Sequence, residues 1–332
     1  MTHLSNLQVL SCGFAITDDF RDHAFFHALR DCGKSDVASL HFRAADRTED
    51  GMNYRHIFHA GNFADVLKHA VLTRVLLHLN AKPAPYRVID THAGTGLYAL
   101  TSEAARRSPE WKDGIGRLLS SSLPPEVAAL LAPYLATVTP LMQAAEPAYP
   151  GSPLIAQGIA RTQDRLSFIE KHPVDSVALK AHTAGDRRVK ALALDGWTAL
   201  KAQLPPPEKR GVVLIDPPFE EPGEFARMAE ALAGAHRKWS TGTFLLWYPA
   251  KRGGGIEDFI AALEGSGIRK ILRLELSVDR LTDAGPLSGT GMIIVNPPWT
   301  LEKEARILLP FLARRLARGP EAASTVEWIT GE

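Results

Sequence analysis

The stretch Val212-Val213-Leu214-Ile215-Asp216-Pro217-Pro218-Phe219 decides the fold. Four consecutive aliphatic residues leave no polar face, the pattern of a strand covered on both sides in the middle of a parallel sheet. The run stops at an acid and two prolines, which have no amide to give to a ladder. Six more apolar runs read as strands, at 86–90, 166–170, 189–194, 243–247, 271–276 and 292–295. Most are separated by helical or polar stretches, and strands alternating with helices predict a doubly wound α/β sheet. Only a short polar, glycine-rich link, 277–291, joins the last two, too short for a crossover helix, so these two are predicted to pair antiparallel.

Composition agrees with a folded core. The chain has 332 residues, 45% hydrophobic and 23% charged, close to the globular average and far from disordered, collagenous or coiled-coil sequences. No apolar run approaches the ~20 residues that span a bilayer, and the N-terminus lacks the basic start and apolar centre of a signal peptide. Cys12 and Cys32 are the only cysteines, so neither a disulfide framework nor a thiolate zinc site is predicted, and the compartment expected is the cytoplasm. Net charge is +1, divided into −3 over residues 1–51 and +4 over 52–332. That mild excess permits a polyanionic partner without demanding one.

Residues 1–51 carry both cysteines, eight acids and no clear amphipathic period, and end in a polar stretch before Met52. They read as an upstream or poorly ordered extension, with 52–332 as the working domain and Met52 as the native start. Asn62 is placed to cap a helix over 63–79, with Asp65 in its first turn and an apolar stripe of Val66, Ala70, Leu72, Val75, Leu76 and Leu79. About 75 residues separate the first two strands, far more than one crossover helix needs; the surplus, 101–147, reads as a small helical insertion with prolines at 124, 125, 133 and 140.

Three segments carry chemistry. Asp90-Thr91-His92-Ala93-Gly94-Thr95-Gly96 follows a strand and is read as preceding a helix, so its glycines would let a ligand approach the backbone at a positive helix end. It lacks the third glycine of a dinucleotide fingerprint, Ala99 standing there, and a lone Gly-x-Gly is often only a turn. Asp216-Pro217-Pro218-Phe219 is more specific. A carboxylate and a rigid proline carbonyl can both accept from one exocyclic amino group, favouring the localised lone pair that develops as that nitrogen attacks a methyl. Phe219 offers a face for an extruded base. Asn296-Pro297-Pro298-Trp299 is a near-copy, but an antiparallel last strand puts it at the sheet edge opposite to where open α/β sheets bind ligands, so Asn296 is read as structural. Glu170 and Asp195 also end strands; each alone is an ordinary helix cap, while with Asp90 and Asp216 they form a candidate nucleotide site. The third segment, Tyr54-Arg55-His56-Ile57-Phe58-His59 with Lys68 and His69, reads alone as a solvated arm before a helix, with residues able to stack on or steer RNA. Its histidines lack an acid or thiol to complete a usual zinc set, so no metal is predicted.

Together these motifs closely resemble the bacterial 23S ribosomal RNA adenine-N6 methyltransferases of the RlmJ type. The resemblance runs through 52–332 in order: Tyr54-Arg55-His56, Phe58-His59-Ala60-Gly61-Asn62, Asp65-Val66 and Lys68-His69, then Asp90-Thr91-His92-Ala93-Gly94, Pro150-Gly151-Ser152-Pro153, Ile215-Asp216-Pro217-Pro218 and Trp247-Tyr248-Pro249. It implies a Rossmann-like, seven-stranded class I fold with the last strand antiparallel, S-adenosylmethionine as donor and S-adenosylhomocysteine as product, no metal, and transfer to N6 of adenine 2030 of 23S rRNA. The implied catalytic group is Asp216 with Pro217 and Phe219. Implied cofactor contacts are Lys68, His69, His92, Ser152, Glu170, Asp195, Gly196 and Asp216. Implied RNA contacts are Tyr54, Arg55 and His59, in a cytoplasmic monomer acting on rRNA largely free of ribosomal proteins. Two departures stand out: Phe219 replaces the usual tyrosine, and Trp197-Thr198 replaces a common Phe-Gln. The rival readings are a DNA adenine-N6 methyltransferase, since this site does not choose the sugar, and an inactive RNA-binding relative; a nicotinamide dehydrogenase ranks below both.

Overall fold

The computed structural model describes residues 56–283 and 285–331. The expectations for residues 1–51 and for Tyr54 and Arg55 lie outside them. After a 3₁₀ turn, His56–Phe58, helix α1 (Phe63–Asn80) begins at Asn62, whose side-chain oxygen accepts from the Ala64 and Asp65 amides. The apolar stripe expected of α1 understates its burial: Asp65, Lys68, His69 and Thr73 are buried as well, so the polar side of the helix also faces the interior.

All seven expected strands form: β1 (Arg87–Asp90), β4 (Arg165–Ile169), β5 (Val189–Leu192), β6 (Gly211–Ile215), β7 (Thr243–Ala250), β8 (Ile271–Ser277) and β9 (Gly289–Val295). An eighth, β10 (Ala323–Thr330), extends the sheet to the order β5-β4-β1-β6-β7-β9-β8-β10. β10 is a half-exposed edge strand of mixed polarity, without the continuous apolar run that marks the buried strands. β5, β4, β1, β6 and β7 are mutually parallel, and β9 runs antiparallel to both of its neighbours, β7 and β8.

Side chains alternate across β6. Val212 and Leu214 join the core beneath α1, α5 (Ser152–Ile159) and α10 (Leu301–Leu316), while Val213 and Ile215 join the core beneath α7 (Gly196–Gln203), α8 (Glu224–Lys238) and α9 (Ile256–Glu264). That double cover explains the unbroken apolar sequence.

Between β1 and β4 the chain forms a two-stranded ribbon, β2 (Leu97–Ala99) with β3 (Ala148–Pro150), and helices α2 (Glu103–Arg107), α3 (Ile115–Leu119) and α4 (Pro125–Met142). The glycine turn is therefore followed by strand β2 and not by the expected helix: pairing with residues fifty positions away overrides local preference. α4 runs continuously through Pro133 and Pro140. Its 18 residues have a mean hydropathy of 1.2, long and apolar enough to cross a membrane by those two measures, although no single apolar run in the sequence approaches that length. Val127, Leu131, Tyr134 and Val138 of α4 are buried in the protein, and the Tyr134 hydroxyl bonds to that of Tyr149 at 2.9 Å. α6 (Pro173–His182) follows β4.

Candidate active site

β1 is where the chain turns from one half of the sheet to the other: β4 and β5 lie to one side of it, β6 and β7 to the other. The carboxyl ends of parallel strands at such a switch point form a crevice. Asp90, Glu170, Asp195 and Asp216 stand at the carboxyl ends of four adjacent strands, β1, β4, β5 and β6, along this one edge. Asn296 is at the other edge. Its side-chain amide donates to the Ser240 and Gly242 carbonyls before β7, both at 2.8 Å, and nearby Trp299 is 85% exposed.

The loop between Asp90 and Gly96 is tied down from three sides. Thr91 N donates to Leu214 O, Ala93 N to Ile169 O, and Gly94 N to Glu170 Oε2 at 2.8 Å. The other Glu170 oxygen accepts from His172 N at 2.7 Å, and burial raises its pKa. Gly94 and Gly96 adopt φ of +59° and +79°, a left-handed region open to glycine at little cost. Asp90 is buried, accepts from Ser152 Oγ at 2.6 Å, and is pushed up to about 7 by loss of solvent, with Asp216 adding to the rise. His92 is pulled down to about 4 by burial, against the pull of Asp216 and Asp195, and stands edge-on to Trp197. Asp195 caps α7 through Thr198 N at 2.9 Å. Gly196 packs so closely that a methyl group there would lie 2.3 Å from Thr91 O and 2.9 Å from His92 Nε2.

From α1, Lys68 Nζ reaches Asp216 Oδ2 at 2.5 Å and Asp65 Oδ1 at 2.8 Å. Burial alone would discharge this ammonium, but the two carboxylates hold its pKa well above the ordinary lysine value. Asp65 also accepts from Gly61 N at 2.8 Å and has His56 Nε2 at 2.9 Å. Although burial opposes ionisation, His56, Lys68 and His69 keep it well below the usual carboxylate range. The His69 Nδ1 meets Tyr149 OH at 2.7 Å and its Nε2 lies 4.0 Å from Asp65 Oδ1, and burial lowers its pKa to about 3.

Phe219 follows the two prolines at φ +54°, a left-handed conformation uncommon for a bulky residue. Its ring stands edge-on to Phe225 (4.9 Å between centroids) and Trp247 (5.9 Å), and Lys68 Nζ lies 5.9 Å from the Trp247 ring centre. His59 has its Nδ1 3.0 Å from Glu110 Oε1 and a side chain 40% exposed; that hydrogen bond raises its pKa. Among the described residues, no group of three His, Cys, Asp or Glu is arranged to hold a metal.

Sequence reading treated Asp65 only as a favourable first-turn acid and passed over Trp247 and Tyr98 as site residues. The Asp65-x-x-Lys68 spacing, which puts both on one face of a helix, was the available signal.

A largely parallel sheet with an antiparallel strand inserted near one edge, acids on four adjacent strand tips and a glycine turn at the switch point define the class: a Rossmann-like, S-adenosylmethionine-dependent methyltransferase. Residues 83–330 match the family model described as "Ribosomal RNA large subunit methyltransferase D, RlmJ", and the chain belongs to that family. It is 40% identical over 283 residues to Ribosomal RNA large subunit methyltransferase J of Escherichia coli and 39% identical over 284 residues to that of Haemophilus influenzae; each alignment covers 85% of this chain and all of the relative. The crystal structure of protein LPL1258 from Legionella pneumophila is similar with a TM-score of 0.74 at 34% identity, covering 81% of this chain and 98% of that one.

Proposed function

We propose that this protein methylates the N6 amino group of one adenine of 23S rRNA, adenine 2030, with S-adenosylmethionine as donor. The observation that carries this reading is the Asp216-Pro217-Pro218-Phe219 turn at the tip of β6, beside the glycine loop and reached by a buried lysine. The resemblance to rRNA methyltransferases supplies the polymer.

The site fits the cofactor. Gly196, which has no side chain, lets the start of α7 pack directly on Thr91 and His92 of the β1 loop, and the neighbouring strand-tip acids suit ribose hydroxyls and an amino group. In this reading Glu170 accepts from the ribose, Asp195 and Gly196 hold the adenine with His92, and Lys68, His69, Ser152 and Asp216 surround the amino-acid end. When bound, S-adenosylmethionine supplies a methyl group on a sulfonium sulfur and departs as S-adenosylhomocysteine.

The protein's own work is to orient and polarise the target amine for direct in-line transfer. An adenine amino group is a poor nucleophile because its lone pair is delocalised into the ring. Asp216 and the Pro217 carbonyl accept its two hydrogens, an interaction that strengthens as the nitrogen becomes pyramidal. Lys68 already donates to one Asp216 oxygen and so fixes the orientation of the acceptor; the proton that the methylated nitrogen must lose, made acidic by alkylation, passes to water after transfer. Phe219 holds the extruded base by stacking. Tyr54, Arg55 and His59 engage the RNA, and the raised pKa of His59 favours the charged form that phosphates attract. The substrate in this reading is rRNA largely free of ribosomal proteins, met by a cytoplasmic monomer.

Mass-spectrometric mapping of N6-methyladenosine in 23S rRNA, with and without this protein, tests the reading. Loss of one methyl mark on deletion supports it. Unchanged rRNA, with methyl transfer to duplex DNA in vitro, would transfer the assignment to DNA.

A further inference from the structure

Tyr98 lies on β2, opposite Tyr149 of β3, and is 3% exposed. The neighbouring tyrosine hydroxyls are engaged, Tyr149 with both His69 and Tyr134. That of Tyr98 forms no hydrogen bond among the described residues and, although the residue as a whole is 3% exposed, the oxygen is not one of the sealed, partnerless atoms of the interior, so a ligand can reach it. Its position explains what it lacks. The hydroxyl is pressed against the glycine loop, so close that a methyl group on Gly94 would lie 2.1 Å from it. The ring is held by His56, 5.1 Å away between centroids, and borders Gly151, which precedes α5.

A donor without an acceptor, beside a glycine turn shaped for close approach and next to the positive end of an eight-residue helix, is arranged for an anion. Glu170, close to the hydroxyl, is already taken by the Gly94 and His172 amides, Asp65 by Gly61 and Lys68, and Lys68 is balanced by two carboxylates. Burial holds the phenol well above its usual pKa, so it remains a donor at every pH of interest.

We infer that the Tyr98 hydroxyl donates a hydrogen bond to the carboxylate of the cofactor's methionyl group, making Tyr98 a cofactor-binding residue. This rests on the cofactor assignment above and adds a residue to it.

The test is calorimetric titration of the wild-type protein and Tyr98→Phe with S-adenosylhomocysteine and with its decarboxylated analogue, S-adenosyl-3-thiopropylamine. A hydrogen bond to a charged group is strong enough that Tyr98→Phe should bind S-adenosylhomocysteine about tenfold or more weakly, with affinity for the analogue unchanged. The ligand-free melting temperature should hold or rise, because the variant deletes a hydroxyl with no hydrogen bond among the described residues. Less than about a threefold loss for S-adenosylhomocysteine, or an equal loss for both ligands, overturns the inference and leaves the methyltransferase reading standing. Failure of the wild-type protein to bind S-adenosylhomocysteine overturns both.

Discussion

The Lys68 ammonium nitrogen lies 2.5 Å from Asp216 Oδ2 while also holding Asp65 at 2.8 Å, so one buried cation ties the first helix to the tip of the central strand. Asp216 lies 148 residues from Lys68 along the chain, whereas Asp65 is one helical turn away. Asp65 in turn gathers Gly61 and His56, so the segment before α1 and the Asp-Pro-Pro turn share one electrostatic hub. Such a hub is costly to break from either side, because each remaining charge has little water to turn to.

Lys68→Met leaves Asp65 and Asp216 without the ammonium that lies between them. It should destabilise the protein by about 3 kcal/mol or more in denaturant titrations near neutral pH. The penalty should shrink in acid, as the stranded carboxylates take up protons. A variant as stable as wild type at pH 8 would show that the pair does not hold the site together.

Asp216→Ala should lose ~3–4 kcal/mol of transition-state stabilisation, by analogy with an oxyanion-hole donor, seen as about a 10²–10³-fold drop in single-turnover methyl transfer with S-adenosylhomocysteine still bound. Asn296→Ala makes the contrast. It removes two hydrogen bonds to the Ser240 and Gly242 carbonyls and should cost about 1–2 kcal/mol of stability with no change in rate per folded molecule. The reverse pattern would move the acceptor to Asn296.

Asp90 sets a pH dependence whose sign follows from its raised pKa. The folded protein holds this proton up to about 7, the unfolded chain only to its ordinary value of 3.8. The stabilising contribution is therefore complete below the ordinary value and is lost as pH rises through about 7, for a total of at most about 4 kcal/mol. Asp90→Asn should flatten stability against pH across that window. A curve parallel to wild type would assign the dependence to another group.

Gly196→Ala forces a methyl group against the Thr91 carbonyl and the His92 ring. Overpacking of this kind costs about 1–3 kcal/mol, and the displaced His92 should also weaken S-adenosylhomocysteine binding. Wild-type affinity together with wild-type stability would mean that the β1 loop yields more easily than its hydrogen bonds to Leu214 and Ile169 imply.

Much of the scaffold was legible in the residues. The apolar run of β6, the Asn62 cap and the short 278–288 link between β8 and β9 each express a rule that operates over a few positions, and each appears where those rules place it. Antiparallel pairing of β9 then excluded Asn296 from the site, by topology alone. The misses share a cause. β10 is an exposed edge that needs no continuous apolar run, and β2 replaces a helix because residues 148–150 pair with it. α4 continues through two prolines, its Val127, Leu131, Tyr134 and Val138 buried.

The amino-acid sequence by itself determined seven of the strands and their order along the chain, the antiparallel pairing of β8 with β9 and the set of acids at the strand tips, because burial on both faces, capping and chain direction are settled by near neighbours. Only the tertiary structure decided that Lys68 serves Asp65 and Asp216 together, that His69 meets Tyr149 and that the Tyr98 hydroxyl, against Gly94, has no hydrogen bond among the described residues. Those pairings depend on which polar groups are carried out of water side by side, and a buried charge or hydroxyl is satisfied by whatever the distant chain brings within 3 Å of it.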